Sequence, residues 1–389
     1  MPFRLAILTT HPIQYYAPLF KILAAESFLE LKVFYTLGGN EDLDAGFGKN
    51  ISWDIPLLEG YEYEFLTNSA KVSGSHHFAG IQNPDVISRI NDFAPDGILV
   101  YGWSYLSHLK IIRYFEGKIP VWFRGDSTLI DPSPIWKKLI RMQLLKWVYK
   151  HIDLAFYVGQ QNKAYFKAYG LKEDQLIFAP HAVDNERFGI DRSEESLALR
   201  KRLNVMPHEI LILFAGKFED KKDPLILTEA FIKLNKASTH LFFVGNGFLE
   251  KELKEKVIKQ AQDNKPLRIH FLDFQNQSKM PVIYQACDLF CMPSKGPNET
   301  WGLAVNEAMA SGKAVLVSDK TGCAADLVED QKNGYIFESG NLTDLTNKLD
   351  KLTNDNQQLK DMGEYSKKLI QKWSFLKQVE VYTKQIRIA

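Results

Sequence analysis

LFCMPSKGPNETWGLAVNEAMASGKAVLV, residues 289–317, reads as strand, loop, helix and strand in a single run. Leu289 to Met292 is an apolar segment of strand length that stops at the turn of Pro293 and Ser294. Gly302 lets the backbone turn closely, and Leu303 to Ser311 is a helix of small and apolar residues. Gly312 stops it before the strand Ala314 to Val317. The helix N-terminus then faces the carboxyl end of a parallel strand, where unpaired amides and the helix dipole favour phosphate. Glu299 lies just before the helix and Glu307 a little over one turn inside it, so the two carboxylates flank the anion position and seek hydroxyl partners. A diphosphate linking a sugar to a ribose satisfies both acids and the amides together. Two glutamates at this spacing, taken alone, are more often the solvated ends of an amphipathic helix. The strand, turn, glycine and small-residue helix around them are what favour a site.

Outward from this run, the same alternation recurs. Leu5 to Leu8, Leu31 to Tyr35, Gly97 to Tyr101, Val121 to Phe123 and Leu154 to Val158 are strand-length apolar runs. Segments of mixed or helical periodicity such as Tyr16 to Ala25 and Pro84 to Asp92 follow them. A second series comprises Ile210 to Phe214, Leu241 to Val244, Ile269 to Phe271, Leu289 to Met292, Ala314 to Val317 and Tyr335 to Phe337. Strand and helix in alternation specify parallel sheets with crossover helices. The expected fold is therefore α/β, two doubly wound Rossmann-like domains with a cleft between them. The linker falls near Asp184 to Asp191, before a charged helix from Ser193 to Leu203. The expected domains are residues 1–186 for an acceptor and residues 187–365 for a nucleotide-sugar donor, with residues 366–389 a C-terminal helix packing back toward the first domain. Residues Gly363 to Ile388 read as one or two helices with an apolar face.

Composition narrows the function classes. With 389 residues, 45% hydrophobic, the chain buries more core than one domain normally holds. Lys and Arg number 48 against 47 Asp and Glu, so no global field recruits nucleic acid and any anion site is local. Cys287, Cys291 and Cys323 are odd in number and lack the spacing of a disulfide framework or a zinc site, which suits a reducing cytosol. The apolar start, Phe3 to Thr9, lacks the features of a signal peptide and reads as a first strand. No run approaches the roughly 18 to 20 apolar residues that span a bilayer. The expected location is cytoplasmic, at most peripheral on the cytoplasmic face of a membrane.

A second phosphate candidate is ILILFAGKFEDKKDP, residues 210–224, a strand that passes through Gly216 into a lysine-rich helix start. A lysine cluster there is ordinarily just a solvated loop. Val244 to Gly247 is a tight turn without the third glycine of a dinucleotide fingerprint, which argues against NAD. Asp42 and Asp44 are acidic neighbours in a polar loop, not a metal cluster.

These segments together resemble the retaining GT-B glycosyltransferases of family 4, also called group 1. The likeness rests on Glu299 and Glu307, with Trp301, Gly302 and Leu303 after the first and EAMASG, residues 307–312, around the second. It extends to Gly216, Lys217 and Lys222, to Phe271 to Phe274, to residues 286–294 and to the interdomain hinge Pro180 to Phe188, covering about residues 176–340. The resemblance implies that Glu299 contacts the transferred sugar, the Trp301 to Leu303 backbone the phosphates, Glu307 the ribose and Phe274 the base side. By the same resemblance, Lys217 and Lys222 are expected to be the two cations that grip the diphosphate. Lys217 stands where arginine is usual, giving a point charge in place of a bidentate fork. It further implies front-face transfer from a nucleotide diphosphate sugar to a glycan or lipid-linked acceptor, in cell-surface polysaccharide biosynthesis, with no metal or other cofactor. A nucleotide-sugar epimerase, a phosphorylase and a non-catalytic nucleotide-sugar-binding protein are the rival readings.

The first half resembles the family less specifically. His11, after the first strand, either hydrogen-bonds donor or acceptor or is structural. Arg124 stands where some relatives have a histidine, and Arg124 and Asp126 are expected to point toward the cleft. Tyr101 and Trp103 are candidates for an acceptor wall, with core packing the alternative for Trp103. Residues 136–150 carry five cations, interleaved aromatics and no acid. They either lie on an anionic bilayer or form a half-buried helix whose lysines face water.

Overall fold

The computed structural model describes residues 1–38, 43–44, 49–50, 52–132, 134–261 and 268–388. Asp42 lies outside the described residues. The chain divides into two compact units. Unit 1 comprises Met1–Glu41, Ile55–His181 and Phe375–Ala389, and unit 2 comprises Asp42–Asp54 and Ala182–Ser374.

In chain order the strands are β1 Phe3–Thr9, β2 Leu29–Tyr35, β3 Leu43–Asp44, β4 Lys49–Asn50, β5 Glu62–Phe65, β6 Gly97–Tyr101, β7 Val121–Arg124, β8 Leu154–Tyr157 and β9 Leu176–Phe178. They continue with β10 Ile210–Ala215, β11 Thr239–Val244, β12 Ile269–Leu272, β13 Leu289–Met292, β14 Ala314–Ser318 and β15 Gly334–Phe337. Unit 1 holds a seven-stranded sheet in the order β5-β2-β1-β6-β7-β8-β9, and unit 2 a six-stranded sheet in the order β12-β11-β10-β13-β14-β15. Every pair in both is parallel. Parallel strands need crossovers, and helices on both faces leave the strands wholly apolar. Every residue of β6, β10, β11, β13 and β14 is buried accordingly. Each sheet order reverses beside its first strand, between β1 and β6 in one unit and between β10 and β13 in the other. Loops at the carboxyl ends of those strands diverge there, the usual place for a ligand.

The stretch read as a linker is built into unit 2. Asn185–Gly189 is a short helix whose first turn is capped by the Asp184 carboxylate, which accepts from the Arg187 amide at 3.0 Å. Phe188 is fully buried with its ring edge-on to Tyr284. The division falls between His181 and Ala182, ahead of the sequence-based boundary, because Phe188 anchors the segment in the second core. The C-terminal region is two helices, Asn356–Leu369 and Phe375–Ile386. The second belongs to unit 1, where Tyr382 is fully buried 4.6 Å from the ring of Phe156.

One buried histidine ties the carboxyl ends of unit 1's strands together. His108 Nδ1 lies 3.1 Å and 3.0 Å from the carbonyl oxygens of Tyr101 and Gly102, and Nε2 2.9 Å from the Thr36 hydroxyl. Carbonyls only accept, so Nδ1 carries the proton and Nε2 is left to accept from Thr36. Burial pushes the imidazole pKa down to about 4. Between that value and the unfolded value near 6.5 the unfolded chain binds a proton that the folded chain does not. Stability is therefore expected to fall as pH drops from about 6.5 to about 4, by at most about 3 kcal/mol from this group, and to be unaffected by it above pH 7. Urea unfolding of the wild type and of His108→Gln at pH 7 and pH 4.5 checks this, the variant showing the smaller loss on acidification.

Candidate active site

Unit 2 gathers most of the sequence-predicted donor residues at the carboxyl ends of β10 and β13. The loop after β10 runs from Gly216 through Lys217 to a single 3-10 turn, Asp220–Lys222, and then into the helix Pro224–Leu234. The loop after β13 reaches Glu299, Trp301 and Gly302 before the helix Leu303–Ala310. A backbone bond from the Lys295 amide to the Lys221 carbonyl, 2.9 Å, stitches the two loops. Lys222 Nζ consequently sits 2.6 Å from Glu299 Oε2, with 17% and 7% of the two side chains exposed. The Ser294 hydroxyl donates to the same carboxylate oxygen at 3.4 Å. Ser294 is itself held through its carbonyl, which accepts from the hydroxyls of Ser318 and Ser339.

Gly302 is the N-cap of the helix, with φ 98°. A β-carbon there would stand 2.9 Å from both Met292 Sδ and Thr321 Cγ2, so glycine is required by conformation and by space. Trp301 is buried; its indole N–H donates to Asn306 Oδ1 at 2.8 Å and its ring lies 5.2 Å from Trp373. Leu303 is half-buried, leaving the first turn of the helix at the edge of the core. Glu307 is buried, and its Oε2 accepts from the Tyr284 hydroxyl at 2.8 Å. Phe274 is placed by its amide, which donates to Asn246 Oδ1 at 2.8 Å, and its ring meets Trp53 edge-on at 6.3 Å. Lys217 is half-buried two residues beyond β10.

Five residues hold the motif residues in place without having been singled out by the sequence: Tyr284, Trp373 and Gly322 come from neighbouring segments, Asn306 lies inside the motif stretch itself, and Asn246 lies in the Val244 to Gly247 turn. Gly322 is the tightest: its amide donates to the Glu299 carbonyl at 3.2 Å, and the Cys323 amide to the Trp301 carbonyl at 2.9 Å. Burial, with the charge of Glu299 adding to it, pushes the neighbouring Cys323 thiol well up, so it stays protonated.

In unit 1 the first-half candidates separate. His11 is exposed beyond the carboxyl end of β1, its Nδ1 3.0 Å from the Thr10 hydroxyl. Asp126 keeps 46% of its side chain exposed, 3.8 Å from Nε2 of the buried His181. Burial lowers the His181 pKa, so that imidazole is neutral at pH 7. Arg124, expected to point outward, turns into the core instead. Its guanidinium donates to the carbonyls of Ala179 and Pro180 at 2.9 Å and 3.2 Å and to the Tyr382 hydroxyl at 3.4 Å. Those bonds occupy three of the five N–H donors and hold the buried cation in the core, while its Nε is buried without a partner among the described residues. Tyr101 is buried, its ring 4.7 Å from Tyr16 and 5.9 Å from Phe20, and Trp103 packs half-buried on the main core cluster of this unit. Tyr101 is thus a core residue and forms no exposed wall, whereas Trp103 packs on the core and stays partly exposed.

Two parallel-sheet Rossmann-like units, each with its strand order reversing beside the first strand, define the chain as a protein of the GT-B fold. Residues 196–369 match the model of the family described as glycosyl transferases group 1, a span that includes Lys217, Lys222, Glu299, Gly302 and Glu307. The chain is 24% identical over 344 residues to sulfoquinovosyl transferase SQD2 of Arabidopsis thaliana, covering 82% of this chain and 64% of that protein. It is 25% identical over 245 residues to D-inositol 3-phosphate glycosyltransferase of Nocardia farcinica, covering 61% and 51%. The matched region thus spans about half to two thirds of the length of these relatives. Among solved structures, HepE of Anabaena in complex with UDP superposes with TM-score 0.76 at 18% identity, covering 100% of both chains. Sucrose-phosphate synthase of Thermosynechococcus elongatus superposes with TM-score 0.74 at 16% identity, also over 100% of both.

Proposed function

We propose that this protein is a retaining glycosyltransferase of the family 4 type. It moves a sugar from a nucleotide diphosphate donor to a glycan or lipid-linked acceptor, in the building of cell-surface polysaccharide. The observation that carries the reading is the pairing of Lys222 with Glu299 at 2.6 Å, beside the glycine-capped helix that starts at Leu303. An ammonium has three donors, so Lys222 can hold Glu299 and a phosphate oxygen together. The group 1 match over the same residues, the transferase names of the relatives and the UDP bound by HepE support a nucleotide-sugar donor.

In the proposed reaction the acceptor hydroxyl oxygen bonds to the anomeric carbon while the bond from that carbon to the β-phosphate oxygen breaks. The hydroxyl proton passes to the departing phosphate on the same face, which retains configuration. Negative charge grows on the β-phosphate, and Lys217, Lys222 and the amides at Gly302 meet it; such preorganised donors are worth about 3 to 4 kcal/mol each. Glu299 orients the transferred sugar through its hydroxyls and Glu307 the ribose. With two ammonium groups and a helix N-terminus aimed at the diphosphate, the chemistry asks for no divalent metal, so turnover is expected to persist in EDTA.

Incubation with UDP-, GDP- and ADP-sugars, first alone and then with saccharide and lipid-linked acceptors, tests the proposal. Nucleoside diphosphate released only when an acceptor is present is the expected result. Interconversion of the donor sugar without acceptor marks an epimerase, and donor binding with no release under any acceptor marks a binding protein; either outcome removes the transferase reading.

A further inference from the structure

The helix Ile135–Tyr149 of unit 1 has two apolar faces. One is ordinary: Leu145, Val148 and Tyr149 are buried in the core cluster under β7 and β8. The other looks outward. Every residue from Ile135 to Arg141 is exposed, so the first two turns stand clear of the core on all sides. Ile135, Trp136, Leu139 and Ile140 are each between 53% and 78% exposed. Single exposed apolar residues are ordinary, but four in two turns of one helix make a patch that water alone does not favour.

Charge distinguishes the possible occupants. Residues 136–150 hold five cations and no acid in a chain whose net charge is only +1. A second copy seated on this face by a two-fold axis would set like charges against like. A bilayer rich in anionic lipid meets both features, since apolar side chains enter the headgroup boundary while lysine and arginine stay among the phosphates. Trp136 suits that depth, with an apolar ring and a polar N–H, and Lys137 Nζ lies 5.3 Å from its centroid. The helix follows β7, so its exposed N-terminal turns lie toward the carboxyl edge of the sheet, the edge at which α/β proteins bind ligands.

We propose that the outward face of residues 135–141 docks on an anionic bilayer surface. Docking there turns the carboxyl edge of unit 1's sheet toward the membrane, where a lipid-linked acceptor resides; only that corollary rests on the transferase reading. Among the described residues no helix is long and apolar enough to cross a membrane, so the contact is interfacial.

Sedimentation of the full chain with phosphatidylcholine vesicles, with and without about one third phosphatidylglycerol, tests docking without any donor or acceptor. Partitioning onto the anionic vesicles is expected, with little onto neutral ones and a steep loss between 0.05 M and 0.5 M salt. The pair Lys137→Glu with Arg141→Glu is expected to cut partitioning by about 30-fold or more. The pair Trp136→Ser with Ile140→Ser is expected to cut it at least about tenfold. All four side chains are exposed, so both variants should melt with the wild type. No preference of the wild type for anionic vesicles, or full partitioning of both variants, would overturn the proposal. So would a dimer in solution that Trp136→Ser with Ile140→Ser converts to monomer, which would assign the face to a second copy. Failure of the transferase reading leaves these vesicle results untouched.

Discussion

Replacing Lys222 with alanine, or Glu299 with glutamine, is expected to lower kcat by about 10²–10³-fold while the protein remains folded. Each change removes one half of the 2.6 Å pair at the carboxyl ends of β10 and β13. Glu299→Gln keeps size and shape and loses only the charge that holds the ammonium. Lys222→Ala leaves a carboxylate that is 7% exposed with the Ser294 hydroxyl at 3.4 Å as its nearest remaining partner, so a modest drop in melting temperature should accompany the kinetic loss. Because each side chain also positions the other, the double variant should cost less than the product of the two single losses. Full additivity would mean that neither side chain depends on the pair for its placement.

The second large effect is expected from a residue that touches no substrate. A β-carbon on Gly322 would lie 1.9 Å from the Thr300 carbonyl oxygen, 2.4 Å from its carbon and 2.9 Å from the Trp301 nitrogen. All three are backbone atoms, so the loop bearing Glu299 and Gly302 must move to admit even a methyl group. Gly322→Ala is therefore expected to destabilise by about 1–3 kcal/mol and, by displacing Glu299 by a fraction of an ångström or more, to lower kcat/KM by about 10²-fold. Thermal unfolding beside steady-state kinetics checks both. Near wild-type turnover would show that the loop yields without disturbing the pair. Gly340, with φ 77° and open space around it, is a control glycine whose alanine variant should lose stability through backbone strain but little activity.

The sheets were readable from the sequence because their strands are buried on both faces. Ile210–Ala215 and Leu289–Met292 are unbroken apolar runs, and nothing but a central parallel strand suits them. Strands at the sheet edge left weaker traces. Glu62–Phe65 alternates charge and ring with no residue buried, and Leu176–Phe178 is only three residues long. The motif half of the site was legible for the same reason as the strands: Glu299, Gly302 and Glu307 sit on one contiguous strand-loop-helix unit, and Gly216 to Lys222 on another. The contact between those units was not, since the Lys295 to Lys221 backbone bond that aligns them leaves no residue signature. Side-chain direction at a strand end was also hidden. Arg124 looked like a cleft residue until the carbonyls of Ala179 and Pro180 and the Tyr382 hydroxyl, the last from the far end of the chain, drew its guanidinium inward.

The central claim is that the turn at Gly302 and the lysine at 222 form a seat for a pyrophosphate. Calorimetric titration of UDP, GDP and ADP, each against its monophosphate, into the wild type and Lys222→Ala addresses it most directly. One diphosphate is expected to bind at least about tenfold more tightly than its monophosphate, a difference of about 1.4 kcal/mol, and Lys222→Ala should erase that difference while leaving monophosphate affinity in place. A wild type that binds none of the three diphosphates, or a variant that keeps the full preference, would contradict the account.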